Sequence, residues 1–131
     1  MKTELLAPVG DWETMQAAID AGADAVYFGI KWINMRSSSA RNFDIEELPK
    51  VMEKLHKNNV KGFIALNTLI YDHELKKVED IIDAAKKAKV DAVIAADTAI
   101  LQLCNDKDVE VHISTQESVS NYQAVKFFSN F

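Results

Sequence analysis

The stretch Ala21-Gly-Ala-Asp-Ala-Val-Tyr-Phe-Gly29 decides the fold, because a similar stretch recurs as Ala88-Lys-Val-Asp-Ala-Val-Ile-Ala-Ala96. A related piece, Asn59-Val-Lys-Gly-Phe-Ile64, lies between them, and the three recur at spacings of 37 and 30 residues. A period of about thirty residues is the length of one strand, one helix and two turns. The repeat therefore predicts the βα unit of a (β/α)8 barrel or of an open doubly wound sheet.

Strand-like apolar runs alternate with helical patterns along the rest of the chain, which is typical of a parallel sheet. The predicted strands are Glu4–Ala7, Ala25–Gly29, Lys61–Asn67, Ala92–Ala96 and Glu110–Ser114. Helices are predicted after an Asp11 cap with a stop at Gly22, after an Asp44 cap with Glu47, from near Asp72, over Thr98–Asn105, and over a stretch with Tyr122, Val125 and Phe128 on one face. The third helix is expected to place Leu75, Val78, Ile82 and Ala85 on its apolar stripe.

The length limits what these units can form. About five βα units fit into 131 residues, whereas a complete barrel needs about 250. The last residues, Phe127–Phe131, are apolar and stop within a helical pattern. We therefore expect residues 1–131 to form a single α/β domain that is the N-terminal portion of a longer TIM-type barrel, with an open five-stranded sheet as the alternative.

Composition excludes several classes of protein. Hydrophobic residues make up 48% and charged residues 27% of the chain, and the net charge is −5, which describes an ordinary globular domain. A single cysteine excludes an intramolecular disulfide and a four-cysteine metal site. No apolar run approaches the roughly 20 residues of a membrane span, and no signal peptide is recognisable, so a cytoplasmic location without a membrane partner is expected.

Polar residues follow the predicted strands, where parallel α/β folds place their functional sites. His112, Ser114 and Gln116 should share one face of the last strand, and Asn67 and Asp97 end two earlier strands. A histidine there can transfer protons near neutral pH. Structural alternatives remain open: His112 as a hydrogen-bonded core residue, Asp97 as a helix cap, and Asn67 as the partner of a loop carbonyl. Cys104 is expected to be a small buried hydrophobic side chain.

The segment Lys31–Phe43 carries three cationic residues and no acid, although the chain as a whole is acidic. It is longer than the usual βα connection of about 2 to 6 residues. The guanidinium groups of Arg36 and Arg41 suit a carboxylate or phosphate group. A flexible lid, or a docking segment for another part of the protein, is an equally open interpretation.

No strong catalytic signature is present. The sequence contains no H-E-x-x-H zinc helix, no G-x-S-x-G elbow, no Walker loop and no G-x-G-x-x-G turn. A self-contained hydrolase therefore cannot be derived from the residues.

Several segments together resemble the N-terminal part of the collagenase-like peptidase family U32, and the likeness covers essentially the whole chain. They are Glu4–Asp11, Gly22–Gly29, Met35-Arg36 with Arg41–Phe43, Asn67-Thr68, and His112–Gln116 followed by Asn121. The resemblance implies a (β/α)8-type barrel in the full-length protein. It also implies that Arg36, Asn67, Asp97, His112, Ser114, Gln116 and Asn121 lie around the barrel mouth.

The family's activity is described in two ways, as collagenase-like proteolysis and as oxygen-independent hydroxylation of a tRNA uridine, a ribosomal RNA cytidine or the ubiquinone ring. Several members hold an iron–sulfur cluster on four cysteines downstream of the matched part. Cys104 does not match those positions. We therefore expect no cofactor and no metal in this chain, and an iron–sulfur cluster only in the C-terminal portion of the full-length protein.

Three hypotheses follow. In the first, which we favour for the full-length protein, it is a hydroxylase of RNA or a quinone, with Arg36 or Arg41 binding an anionic group. In the second it is a peptidase that uses His112 or Ser114. In the third the isolated chain is inactive and self-associates through open barrel edges, or is completed by the C-terminal portion of the same protein. The expected site comprises the catalytic candidates His112, Ser114 and Asp97 and the substrate-binding candidates Arg36, Arg41, Asn67, Gln116 and Asn121.

Overall fold

Five short strands form one parallel sheet in the computed structural model, which describes residues 3–31 and 42–131. The strands are β1 (Leu6–Pro8), β2 (Ala25–Phe28), β3 (Lys61–Leu66), β4 (Ala92–Ala95) and β5 (Val111–Ile113). Every predicted strand is present, and no strand end differs from its predicted position by more than two residues.

A helix follows each strand. The helices are α1 (Trp12–Asp20), α2 (Leu48–Lys57), α3 (Leu75–Lys87), α4 (Thr98–Asp106) and α5 (Tyr122–Phe128). Asp11 caps α1 by accepting a hydrogen bond from the amide of Thr14, as its position predicts. Gly22, at a φ of 81°, follows the end of α1 and adopts the left-handed conformation that favours glycine.

The strand order distinguishes a barrel segment from a doubly wound sheet. The order is β1-β2-β3-β4-β5, with every neighbouring pair parallel. A doubly wound sheet reverses its strand order at a switch point and carries helices on both faces, whereas a barrel adds strands in sequence and keeps its helices outside. Within the described residues, the sheet follows the barrel pattern, and the partial-barrel expectation is confirmed.

The main core lies between one face of the sheet and the helices. On the sheet, Val26, Ile64 and Val93 are fully buried in this core. On the helices, the capping box of Asp44 and Glu47 forms a single 3-10 turn, Ile45–Glu47, before α2 begins. The sheet side of this core consists of the strand residues whose side chains alternate toward the helices.

The apolar stripe of α3 differs from the prediction in one position. Val78, Ile82 and Ala85 are buried as expected, but Leu75 is 36% exposed and Ile81 is buried instead. The chain enters this helix through a 3-10 turn, Asp72–Glu74, and Leu75 therefore stands at the open first turn of α3.

The opposite face of the sheet carries no helix in the described part of the chain. We call it the inward face, because it faces the interior in a closed barrel; its residues are Leu6, Tyr27, Phe63, Ile94 and His112. Leu6 is 45% and Tyr27 37% exposed. Phe63 and Ile94 form a second, smaller apolar cluster with the alanines of neighbouring strands. The inward face is thus apolar and partly open to solvent.

No helix in the described ranges combines the length and apolar character needed to cross a bilayer.

Candidate functional site

A cavity of about 410 Å³ lies on the inward face, at the carboxyl ends of the strands. Its apolar and aromatic walls are Leu6, Tyr27, Phe63, Ala65 and Ile94. Its polar side chains are those of Asn67, His112, Ser114 and Thr115. The cavity thus lies at the end of the sheet where parallel α/β barrels place their functional sites.

His112 lies within the cavity on β5. Strand alternation turns Val111 and Ile113 toward the helices and His112 inward, as predicted. The His112 ring meets the ring of Phe63 edge to face, with the ring centroids 4.9 Å apart and the planes at 72°. The imidazole remains exposed, so it contacts an aromatic ring on one side and is accessible to a ligand on the other.

Ser114 closes the end of β5. Its backbone amide donates to the carbonyl oxygen of Ala95 at 2.8 Å, which extends the sheet by one residue. Its hydroxyl oxygen accepts a hydrogen bond from the amide of Gln116 at 3.3 Å. Ser114 is only 5% exposed, and the burial of a side chain with this backbone role indicates that it shapes the turn at the cavity wall.

Gln116 does not share the face of His112, contrary to the expectation. The strand ends at Ile113, and Gln116 lies in the 3-10 turn Thr115–Glu117, exposed and outside the cavity lining. The alternation of a strand no longer applies there, because the hydroxyl of Ser114 caps a helical turn.

Asp97 connects the start of α4 to the loop between β3 and α3. One carboxylate oxygen accepts from the amide of Ala99 at 2.8 Å and caps α4. The other accepts from the amide of Ile70 at 2.9 Å, in the loop between β3 and α3. The capping interpretation is confirmed. The expected polar cluster does not include Asp97 among the cavity residues, because it follows the parity of the helix-facing Val93 and Ala95.

Asn121 is the remaining candidate that the structure describes. Asn121 caps α5 by accepting from the amide of Ala124 at 3.0 Å and is not a lining residue of the cavity. Arg36 and Arg41 fall outside the described residues. At the base of their segment, Lys31 donates to a carboxylate oxygen of Asp44 at 2.7 Å, and this hydrogen bond raises the pKa of Lys31.

The described residues do not form a metal or iron–sulfur site. No group of three or more His, Cys, Asp or Glu side chains in residues 3–31 and 42–131 is arranged to hold a metal ion. Cys104 is fully buried in the core, and burial raises the pKa of its thiol to about 11. A thiol in this environment is a poor thiolate ligand, so the buried hydrophobic role expected for Cys104 is confirmed.

The sequence interpretation missed Tyr27 and Phe63, which contribute the largest flat surfaces of the cavity. Strand alternation indicates them, since both residues lie between buried neighbours on their strands and are paired in register across β2 and β3. Tyr27 and Phe63 lie within the strands and not at their polar ends, where the sequence analysis places the site.

The geometry limits the chemistry of Ser114. A serine nucleophile needs a general base within hydrogen-bond reach of its hydroxyl. In the part of the chain that the structure describes, the Ser114 hydroxyl is bonded to a backbone amide and no imidazole lies within hydrogen-bond distance of it. The site is better suited to binding a flat, partly polar ring against its aromatic side chains than to acyl transfer.

Comparisons with known proteins identify related chains. The model of peptidase family U32 matches residues 10–131. Collagenase of Porphyromonas gingivalis is 48% identical over 128 residues, which is 98% of this chain and 31% of that protein. The tRNA hydroxylation protein P1 of Bacillus subtilis is 39% identical over 129 residues, 97% of this chain and 30% of that protein. The chain thus spans about a third of the length of these relatives.

A solved structure, that of the U32 peptidase Mk0906, has the same arrangement of strands and helices. Its TM-score to this chain is 0.75 over 98% of this chain and 55% of that chain, at 12% sequence identity. At this identity the likeness concerns the fold alone, and it agrees with the partial barrel described above.

Proposed function

Because the chain belongs to peptidase family U32, we propose that it forms the N-terminal part of the barrel of an enzyme that hydroxylates an RNA base or a quinone ring without molecular oxygen. One observation carries the proposal: the cavity at the strand ends is walled by three flat rings, those of Tyr27, Phe63 and His112. The name of the Bacillus subtilis relative, a tRNA hydroxylation protein, supports the same class of reaction.

A nucleobase and a quinone share the properties that this cavity suits. Both are flat and apolar on their faces, and both carry polar groups on their edges. Aromatic walls stack against such faces, and amide or hydroxyl groups hydrogen bond to the edges. In the proposal, Tyr27, Phe63 and His112 contact the ring, and Asn67 and the hydroxyl of Thr115 bind its edge. His112 also gives or takes a proton at the reacting ring.

Binding of an anionic group is assigned to the basic segment. Arg36 and Arg41 belong to a stretch that begins at the carboxyl end of β2, next to the strands that line the cavity. Guanidinium groups bind phosphate or carboxylate with two parallel hydrogen bonds, which fixes orientation as well as affinity. An RNA phosphate or an acidic substituent of a quinone fits this role.

The residues of this chain do not fit an iron–sulfur cluster, since its one cysteine is buried in the core with a raised pKa. In the proposal, any cluster of the full-length protein is held by cysteines outside this chain.

Proteolysis is the second candidate function, and the 48% identical relative named collagenase favours it. Ser114 or His112 would then be the catalytic residue. Against this candidate stands the hydroxyl of Ser114, which accepts a hydrogen bond from a backbone amide and has no base beside it in the described ranges.

The two functions are separated by comparing variants of the full-length protein in cells that lack it. Mass spectrometry of RNA nucleosides and of extracted quinones measures products that have gained one oxygen atom. We expect Phe63→Ala and His112→Ala to lower the product at least about 5-fold, because each removes a ring contact. Phe127→Ala, an exposed ring on α5 outside the cavity, serves as the matched control. The peptidase would be established instead by gelatin cleavage that Ser114→Ala abolishes, together with no nucleoside or quinone that has gained an oxygen atom in any strain.

A further inference from the structure

Exposed apolar and aromatic side chains cluster on the loop between β3 and α3. Leu69 is 72% and Tyr71 56% exposed, and His73 is exposed as well. The rings of Tyr71 and His73 are parallel within 9°, with centroids 6.1 Å apart. Single exposed apolar residues are common on protein surfaces. Here Leu69, Tyr71 and His73 are exposed within five residues, and the parallel rings of the last two form a local stacking surface.

This loop is held in place from two directions. The amide of Ile70 donates to Asp97 at 2.9 Å, and the amide of Tyr71 donates to a carboxylate oxygen of Glu74, also at 2.9 Å. Both hydrogen bonds fix the backbone beside the exposed ring. A ring on a fixed backbone loses less conformational entropy when a ligand stacks on it, and therefore binds more tightly.

The loop begins inside the cavity. Asn67 is a lining residue, and Tyr71 is four residues later in the chain. Four residues of fully extended chain span at most about 14 Å, so the Tyr71 backbone lies within that distance of Asn67. A strand of RNA that inserts one base into the cavity has its neighbouring nucleotides within reach of this loop.

We propose that the β3–α3 loop stacks an unpaired nucleotide that flanks the base held in the cavity, with Tyr71 and His73 as the stacking surface and Leu69 at its edge. This inference rests on the proposed function and narrows its substrate to RNA, because a free quinone has no flanking ring. Aromatic stacking of splayed-out bases is a general mode of single-stranded RNA recognition.

The charges around the loop indicate which part of the nucleotide is bound. Asp72 and Glu74 flank the rings, so a phosphate is repelled from this position. In the proposal the loop therefore contacts the base and not the phosphate backbone. Stacking does not release counterions, and its loss lowers affinity without changing the salt dependence of binding.

The test uses the full-length protein and a short oligouridine RNA that contains one 2-aminopurine, whose fluorescence is quenched by stacking. We expect Tyr71→Ala to weaken binding about 5- to 100-fold and to reduce the quenching, with an unchanged slope of affinity against salt. Tyr71→Phe keeps the ring and should bind like wild type. Phe127→Ala removes an aromatic ring of nearly equal exposure, 57%, far along α5, and should also leave binding unchanged.

Wild-type binding that Tyr71→Ala leaves intact would overturn this inference while the proposed function stands. A loss of affinity that Tyr71→Phe reproduces would also overturn it, since the hydroxyl and not the ring would then be responsible. If the wild-type protein does not bind the RNA at all, the inference fails, and the nucleoside and quinone analysis described above decides separately whether hydroxylation occurs.

Discussion

Asp97 illustrates how one side chain at a strand end can organise the site without lining it. Its two carboxylate oxygens accept hydrogen bonds from the amide of Ala99, in the first turn of α4, and from the amide of Ile70, in the β3–α3 loop. The same β3–α3 loop begins with Asn67, which lines the cavity. Asp97, proposed from the sequence as a catalytic candidate, thus makes two backbone hydrogen bonds at the strand ends in the structure.

Substitutions of Asp97 test how much its two hydrogen bonds contribute to stability. Asp97→Ala loses the helix cap and leaves the amide of Ile70 without its partner, and we expect it to lower the free energy of unfolding by about 2 kcal/mol. Asp97→Asn retains one acceptor oxygen and should cost about 1 kcal/mol. Urea unfolding measures both values, and hydrogen exchange at the Ile70 amide reports the loop. Asn121→Ala, which removes a cap from α5 alone, should leave Ile70 exchange unchanged. Equal protection of the Ile70 amide from hydrogen exchange in all variants would show that its hydrogen bond to Asp97 does not hold the loop.

At the scale of secondary-structure elements, Glu47 joins α1 to the start of α2. Its carboxylate accepts from the indole nitrogen of Trp12 and from the amide of Asp44, both at 2.8 Å. The hydrogen bond from Asp44, followed by that from Trp12, lowers the pKa of Glu47 below its ordinary value. The capping box that the sequence predicts therefore also serves as a contact between two helical elements.

This contact makes stability depend on pH. A carboxyl group whose pKa is lowered on folding contributes stability that is fully present above its unfolded-state pKa and is lost as the pH falls through the folded-state value. We expect wild-type unfolding free energy to fall below about pH 5, and Glu47→Gln to show a shallower fall together with lower stability at pH 7. Glu46→Gln, at the exposed neighbouring position, is the control. Urea midpoints measured across the acid range would contradict the assignment if Glu47→Gln and wild type had parallel profiles.

For the molecule as a whole, the sequence predicts the strands and helices well because hydrophobic periodicity and caps are local signals. It fails at Gln116, because β5 ends at Ile113 and a 3-10 turn capped by the Ser114 hydroxyl follows, and hydrophobic periodicity does not report such a short turn. It also could not reveal the bond between Asp97 and Ile70, since these residues are 27 positions apart and meet only when β3 and β4 pair. Strand alternation does place the aromatic side chains of Tyr27 and Phe63 on the inward face, but it does not by itself indicate that they line a cavity.

The inward face decides how the 131-residue chain behaves by itself. β1 and β5 are the outer strands of the sheet, and Leu6 and Tyr27 expose apolar surface between them. Unpaired strand edges beside exposed apolar side chains favour association between copies. We therefore expect sedimentation velocity of this chain to show a sedimentation coefficient that rises with concentration. The double variant Leu6→Ser with Tyr27→Ser should remain monomeric over the same range.

A matched control distinguishes the inward face from general surface hydrophobicity. Leu69→Ser removes an apolar side chain that is more exposed than Leu6, at 72% against 45%, but lies on the β3–α3 loop and not on the sheet. Because the proposed contact between copies is made through the sheet, we expect this variant to associate like wild type. A wild-type chain that stays monomeric at every concentration, or a Leu69→Ser variant that is as monomeric as the double variant, would show that the open face of the partial barrel does not drive association.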